Sequence, residues 1–463
     1  MTALGTHPGP RASPGSVRPW ARHTWDGFRD RGLALTVLSL TAGAVLAAMW
    51  AQAPAALVLT LAALPILVVL GARHALTVVP LVIVLRALVD NLGQQVITAG
   101  IAAALIGLAL LVVWRSAAWL LVLVGTSGYL LLSAASGADA FGAVITYGAT
   151  LRLLGAVAIV IIVANAPGKL TAIGIARSVQ LVGIAPAGVA LLQYVTGTGI
   201  YAEGILRASG TLAQANSAAV LFALCNVTSF ALLMARAPRR ALNLALFGVF
   251  LAAQLATGSV GGALTCLVMI IVHLLTLRST RAERVVLSLL GIALVAYLAA
   301  TSEVGSQRLG QYIGPNANPF SGANSLGWRF EAWAKVLDAW RVHPAFGNGI
   351  GATQAGVILD TIPHNEYVRL LAEMGVFGLG VVLVVCLGYG VRMLRALHRS
   401  TDFGPSLALA VLAGSLVNAI AANTMLYSVS FYTTVFILTG CWRISREHQR
   451  EPVPTTSEAG GPG

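Results

Sequence analysis

Residues 364–366 read His-Asn-Glu, directly after Pro363 and directly before the apolar run YVRLLAEMGVFGLG. Asn365 followed by an acid predicts a helix start, with an Asx cap and Glu366 in the first turn. The positive end of such a helix favours the neutral imidazole of His364, the form that accepts a proton. A general base at a helix mouth is one reading of this histidine; a structural histidine is the other, and spacing alone favours the second. His343 is the other histidine of the same segment, and Asp360 and Glu366 are the nearby carboxylates. No pair among them has metal-ligand spacing, so neither a metal site nor a cofactor is implied.

Three further features carry chemistry. Arg207, in LRASGTLAQANSAA, immediately precedes an apolar run and reads on its own as a snorkelling interfacial anchor. Arg152 lies near the middle of an apolar stretch, where a charge costs about 2.5–3.5 kcal/mol on insertion scales and usually marks function. Arg86 and Arg177 stand nearer the ends of theirs and can snorkel. The alternating Gly347, Gly349 and Gly351 resemble a phosphate cradle only weakly, since no strand precedes them and no lysine follows at Walker spacing. A tight turn with close backbone approach is the better reading.

The elements that position these residues are mostly membrane spans. The chain has 463 residues, 57% of them hydrophobic and 10% charged, with mean hydropathy +0.83. Windows of about 17–25 apolar residues fall at 32–50, 54–71, 75–89, 97–113, 117–134, 141–164, 171–196, 213–235, 241–256, 260–277, 284–300, 370–391, 405–423 and 427–442. The expected fold is an all-α polytopic transmembrane helix bundle of about 12–14 spans with one large extracytoplasmic loop. Five regions follow: a disordered basic leader at 1–31, an N-terminal bundle at 32–300, the loop at 301–369, C-terminal helices at 370–442 and a cytoplasmic tail at 443–463. Ala51-Gln52-Ala53 resembles a signal-peptidase site, but the long apolar stretch before it and the spans after it favour an uncleaved anchor.

Of the Lys and Arg residues, twenty fall in the leader, the even-numbered loops and the tail, six in the odd-numbered loops and three within spans. That asymmetry puts both ends in the cytoplasm, and loops 197–212 and 301–369 outside. It also accounts for the net charge of +13 without a nucleic-acid partner. Cys225, Cys266, Cys386 and Cys441 all lie within spans and read as small apolar residues. Loop 301–369 is far too long for a plain connector. Within it, residues 326–341 line up Phe330, Trp333, Leu337 and Trp340 on one helical face, fitting either an interfacial helix over a site or a helix packed on neighbouring spans.

These residues resemble the O-antigen ligase and polymerase superfamily of polytopic membrane glycosyltransferases. Its signature is His, then Asn, Ser or Gln, nine residues, Gly, two residues, then Gly, Thr or Tyr; His364-Asn365, Gly375 and Gly378 match every element. RASGTLAQAN, with Arg207, Gly210 and Asn216, and WRFEAWAKVLDAWRVHPAFGNGIG, with Arg329, Trp333, Pro344, Gly347 and Gly349, are similar in order and spacing. The resemblance implies a GT-C-like, metal-independent, inverting transfer from a polyprenyl-diphosphate-linked glycan donor to a hydroxyl of a glycan or lipid acceptor. It would occur on the outer face of a bacterial cytoplasmic membrane, among membrane lipid. His364 would act as base and Arg207 and Arg329 would stabilise the departing diphosphate, with Asn216, Asn365 and Glu366 binding substrate. Arg152, outside the likeness, would reach the same diphosphate from within the bundle. Fourteen spans exceed the dozen usual in that superfamily. The competing class is a transporter or lipid-linked glycan flippase, which also keeps charge within the membrane.

The charge asymmetry predicts the sidedness of single cysteines placed in a variant lacking the native four. Positions 207 and 364 should react with an impermeant thiol reagent on intact cells, and positions 239, 281 and 395 only after permeabilisation. Labelling of position 364 confined to permeabilised cells overturns the orientation.

Overall fold

The structure, a computed structural model, describes residues 74–91, 94–113, 116–202, 205–277, 325–400 and 402–449. The chain divides into two compact units, Met1–Val69 and Leu70–Gly463, and every described residue belongs to the second. The leader, the spans expected at 32–50, 54–71 and 284–300, residues 301–324 of the long loop and the tail from 450 lie outside the described residues.

Twelve α-helices occur in the described residues. They are α1 (His74–Leu88), α2 (Gln94–Val113), α3 (Ala117–Phe141), α4 (Ala143–Asn165), α5 (Ala172–Thr196), α6 (Ala215–Met234), α7 (Arg240–Ala256), α8 (Val260–Thr276), α9 (Ser325–Trp340), α10 (Glu366–Leu397), α11 (Gly404–Ala421) and α12 (Ser428–His448). A two-stranded antiparallel ribbon, β1 (Ile200–Ala202) with β2 (Ile205–Arg207), precedes α6, and a 3₁₀ turn at Thr424–Leu426 joins α11 to α12. Six helices are long and apolar enough to cross a membrane, and four more are shorter and apolar. The protein is a polytopic all-α membrane protein.

Small residues let the helices approach closely, as packing in lipid requires. α6 is the axial element, packed by α5, α7, α8 and α12 and buried on nearly every face. Glycines meet it on two sides, Gly183 of α5 against Cys225 and Gly262 of α8 against Ala219. Arg443 of α12 donates to the carbonyls of Val163 at 3.0 Å and Ala166 at 2.7 Å, satisfying the frayed end of α4.

α9 covers the site, and its packed face differs from the expected aromatic stripe. Ala332 and Val336 are buried against Leu359 and Ala372, flanked by Trp328 and Trp340, while Phe330 is 46% exposed. The buried row thus runs 328-332-336-340, rotated from the row 330-333-337-340. Small residues at 332 and 336 admit the neighbouring loop and helix, which the bulk of the stripe does not.

α10 is broken. Gly375 has φ +68° and ψ −171°, so the helix stops and restarts there. The interrupted ladder is completed by the chain just after α9. Asn348 and Gly349 donate their amides to the carbonyls of Ala372 and Glu373 at 2.8 and 3.0 Å, and the amides of Val376 and Phe377 donate to Pro344 and Ala345 at 3.0 and 3.1 Å. Gly347 sits against the Glu373–Met374 peptide and Gly375 against the Ala345 carbonyl, leaving no room for a Cβ on either side. The next residue, Ile350, is buried with Leu130, Leu154 and Leu370, which seats the loop between α3, α4 and α10.

Gly375→Ala should therefore cost more than the roughly 1–3 kcal/mol of a backbone held outside its allowed region, because the methyl also meets Ala345. Gly388→Ala, with open space around its Cβ position, should stay within about 0.5 kcal/mol of the wild type. Thermal unfolding in detergent measures both, and equal midpoints for the two variants would contradict the stitched break.

Candidate functional site

The mouth of α10 forms as its sequence indicates. The Asn365 side chain accepts from the amide of Val368 at 3.0 Å, an Asx cap that fixes the first turn. His364, just outside the helix, has φ +50°, an uncommon conformation for a residue with a side chain. The peptide before it is held by Trp333, whose indole donates to the Pro363 carbonyl at 2.8 Å, and Trp328 meets the imidazole edge-on at 5.9 Å between ring centres. The imidazole Nδ1 is buried and has no hydrogen-bond partner. Burial, then Arg329 and Arg207, pushes the His364 pKa down to about 4, so the ring is neutral at physiological pH.

Arg207 arrives from the end of β2. Its Nε donates to the Thr257 carbonyl at 3.0 Å and its Nη2 to Asn216 Oδ1 at 2.6 Å; that same oxygen accepts from Ser259 at 3.0 Å. Burial and the nearby Arg329 lower its pKa, opposed by Tyr427. The segment after Arg207 is pinned from two sides. Gln193 Oε1 accepts from the amides of Ser209 and Gly210 at 3.0 and 2.8 Å, and Asp90 accepts from Ala213 at 2.9 Å while pairing with Arg86 at 2.7 Å. Arg329 comes from α9 and Tyr427 from the turn before α12; both share the neighbourhood of Arg207. The Tyr427 hydroxyl lies near Asn216 without completing a hydrogen bond, and burial followed by Glu366 raises its pKa to about 12 despite the two arginines.

The structure thus brings together His364, Arg207, Arg329 and Asn216. Asn365 is adjacent, its side-chain oxygen engaged in the cap. Glu366 is 2% exposed, paired with Arg369, and accepts from the Met425 amide at 3.1 Å. Arg369 also bonds Glu373 at 2.5 Å, and Glu373 accepts from the Thr353 hydroxyl at 2.6 Å. Arg152 lies elsewhere, beside a polar cavity of about 240 Å³ that it lines with Arg86, Gln214, Gln354 and Tyr427. Its charged neighbours are Arg369, Arg86 and Glu373, and Tyr427 is the side chain common to cavity and cluster.

Residues 245–383 match the family model described as O-antigen ligase. That stretch, less than half of the chain, is similar to the O-antigen ligase family. The matched stretch contains Arg329, His364, Asn365, Glu366, Gly375 and Gly378, whereas Arg152, Arg207, Asn216 and Tyr427 lie outside it. No curated protein matches the chain. The matched family implies ligase- or polymerase-type glycosyltransferase activity on lipid-linked glycans.

Sequence reasoning missed the Glu366–Arg369–Glu373 network, Gln193, Asp90 and Tyr427. The first had a visible signal: three charges at spacings of three and four in an apolar helix must face one another or remain unpaired in lipid. Tyr427 had none, since an aromatic at a helix start is ordinary at a membrane boundary.

The protein should show the linkage of its half-buried imidazole. The folded pKa of about 4 lies below the unfolded 6.5, so between them the unfolded chain binds more protons. Stability supplied by neutral His364 is complete above 6.5 and is lost as pH falls towards 4. His364→Gln should flatten the fall of the unfolding midpoint across that window, and an unchanged slope would mean the histidine is not buried neutral. Arg369→Met, which strands two buried carboxylates, should cost about 3–5 kcal/mol in the same assay.

Proposed function

We propose that this protein transfers a saccharide from a polyprenyl-diphosphate donor to an acceptor hydroxyl on the outer face of a bacterial cytoplasmic membrane, with inversion and without a metal. The observation that carries the reading is a neutral, half-buried histidine whose Nδ1 is buried without a partner, near Arg329 and Arg207 at the mouth of a capped helix. The acceptor hydroxyl is a weak nucleophile, and the imidazole takes its proton as the new C1–O bond forms. On the opposite face of the sugar, the bond between C1 and the diphosphate oxygen breaks and its electron pair leaves with the lipid diphosphate. Arg207 and Arg329 meet the growing charge of that leaving group. Asn216 holds Arg207 in place, Asn365 fixes the mouth of the helix, Glu366 anchors the turn leading to Tyr427, and Arg152 serves the adjoining polar cavity, where a sugar of the donor or acceptor is held.

The charge pattern supports the reading. The hydrogen bonds of Arg207 go to neutral oxygens, and Glu366 is drawn off by Arg369. An anionic group entering the cluster therefore meets in Arg207 a cation that no carboxylate among the described residues engages.

Purified protein assayed with a labelled lipid-linked glycan tests the proposal. His364→Ala and His364→Gln should each lose about 10²–10⁴-fold in turnover, with donor binding nearly unchanged. Arg207→Lys and Arg329→Lys should lose most activity although charge is kept, because an ammonium does not reproduce the planar fork. The acid limb of kcat/KM should fall near pH 4, where the free enzyme's imidazole protonates. Wild-type turnover in both His364 variants removes the base from the mechanism; glycan that crosses the bilayer without a new bond assigns the protein to transport instead.

A further inference from the structure

A second cavity, of about 320 Å³, opens near the end of the bundle remote from His364. Its walls are almost wholly apolar and come from five helices: Trp119 of α3, Val160 of α4, Val385 of α10, Leu412 of α11, and Val435 and Trp442 of α12. Tyr389 shares the wall, its hydroxyl turned away to the Leu438 carbonyl at 2.7 Å, and Cys386 supplies a thiol. Two arginines stand at the rim. The guanidinium of Arg392 lies 5.5 Å and that of Arg446 5.4 Å from the ring centre of Trp442, so one indole that lines the cavity also gathers two cations. Neither has an ion-pair partner among the described residues, and the Nε of Arg392 is buried without a hydrogen bond. The nearby Glu447 is taken by Arg443.

We propose that this cavity and its paired arginines form a binding site for an anionic membrane phospholipid, with an acyl chain in the cavity and the phosphate between Arg392 and Arg446. Like charges held on one ring repel each other, and an anion between them relieves that repulsion. A zwitterionic lipid offers the same chain with a weaker claim on the arginines. The site is distinct from the reaction centre: Arg392 lies roughly 24 Å beyond the Gly375 break at ~1.5 Å per residue, and His364 lies on the other side of that break. A diphosphate held at His364 therefore cannot also occupy it. The inference does not depend on what reaction the cluster performs.

Native mass spectrometry of the purified full-length protein, exchanged into mixtures of dioleoyl phosphatidylglycerol and phosphatidylcholine, tests it. The wild type should retain phosphatidylglycerol over phosphatidylcholine by on the order of tenfold, given the attraction of about 1 kcal/mol per basic residue at a membrane surface. Arg392→Gln with Arg446→Gln should abolish the preference, and Arg392→Lys with Arg446→Lys should keep most of it. Cys386 gives a second readout on unmutated protein. It is half-buried while Cys225, Cys266 and Cys441 are buried, so a lipophilic maleimide should modify it first, and phosphatidylglycerol should slow that modification more than phosphatidylcholine does. Equal retention of the two lipids by the wild type, or an unaltered preference in the glutamine pair, overturns the site. A preference without protection of Cys386 reduces it to surface attraction, and displacement by polyprenyl phosphate ahead of phosphatidylglycerol gives the cavity to the donor's chain.

Discussion

The backbone exchange at Gly375 is the constraint on which the site depends. A helix broken inside an apolar bundle exposes amides and carbonyls that lipid does not satisfy, at several kcal/mol each. Here the gap is filled by residues 344–349, whose own backbone groups need partners for the same reason. Two irregular segments solve each other's problem, and the solution fixes their relative position to hydrogen-bond tolerance. α9, immediately before that loop, is thereby placed over the mouth of α10, and Arg329 is brought near His364.

Charge is divided between two layers. In the outer one, Arg207 and Arg329 lie near a neutral imidazole and a neutral phenol. In the layer below, Arg369 is clasped by Glu366 and Glu373, and those carboxylates extend to the Met425 amide and the Thr353 hydroxyl. Removing either acid from that lower layer would leave the arginine with one partner in place of two; releasing one into the upper layer would weaken the field that an anionic ligand meets. Burial of the triad is costly in itself. What it secures is the separation of the two layers.

Much of this was legible beforehand, for reasons that vary by residue. Hydropathy locates helices well because lipid leaves the backbone no alternative to a helix, and the spans placed at 171–196 and 260–277 differ little from α5 and α8. The Asx cap at Asn365 is readable because it is local: three residues contain the whole interaction. The alternating glycines at 347, 349 and 351 announced a close backbone approach, but not its partner, because nothing local to HPAFGNGIG specifies residues 372–377. The sequence left open which face of α9 packs, since aromatic bulk dominates a helical wheel, whereas the contact is made where side chains are small, at Ala332 and Val336. Arg152 stands out in the sequence as a charge within a span, yet its neighbours, and hence the cavity it lines, are set by helix packing that no spacing rule encodes.

The stretch between the cap and the break has the character of a ruler. Asn365 fixes where the helix begins and Gly375 where it must yield, so Glu366, Arg369 and Glu373 are read out at set angles in between. One residue added or removed there would rotate everything beyond it by about 100° and shift it by ~1.5 Å, turning the arginine from its acids and the break from its loop at once. Asn and Ser, two of the residues the resembled signature admits after the histidine, are both good helix caps, and the glycine ten residues beyond meets a demand no other residue fills. The signature is in this sense largely a measurement of length, set by a cap at one end and a break at the other.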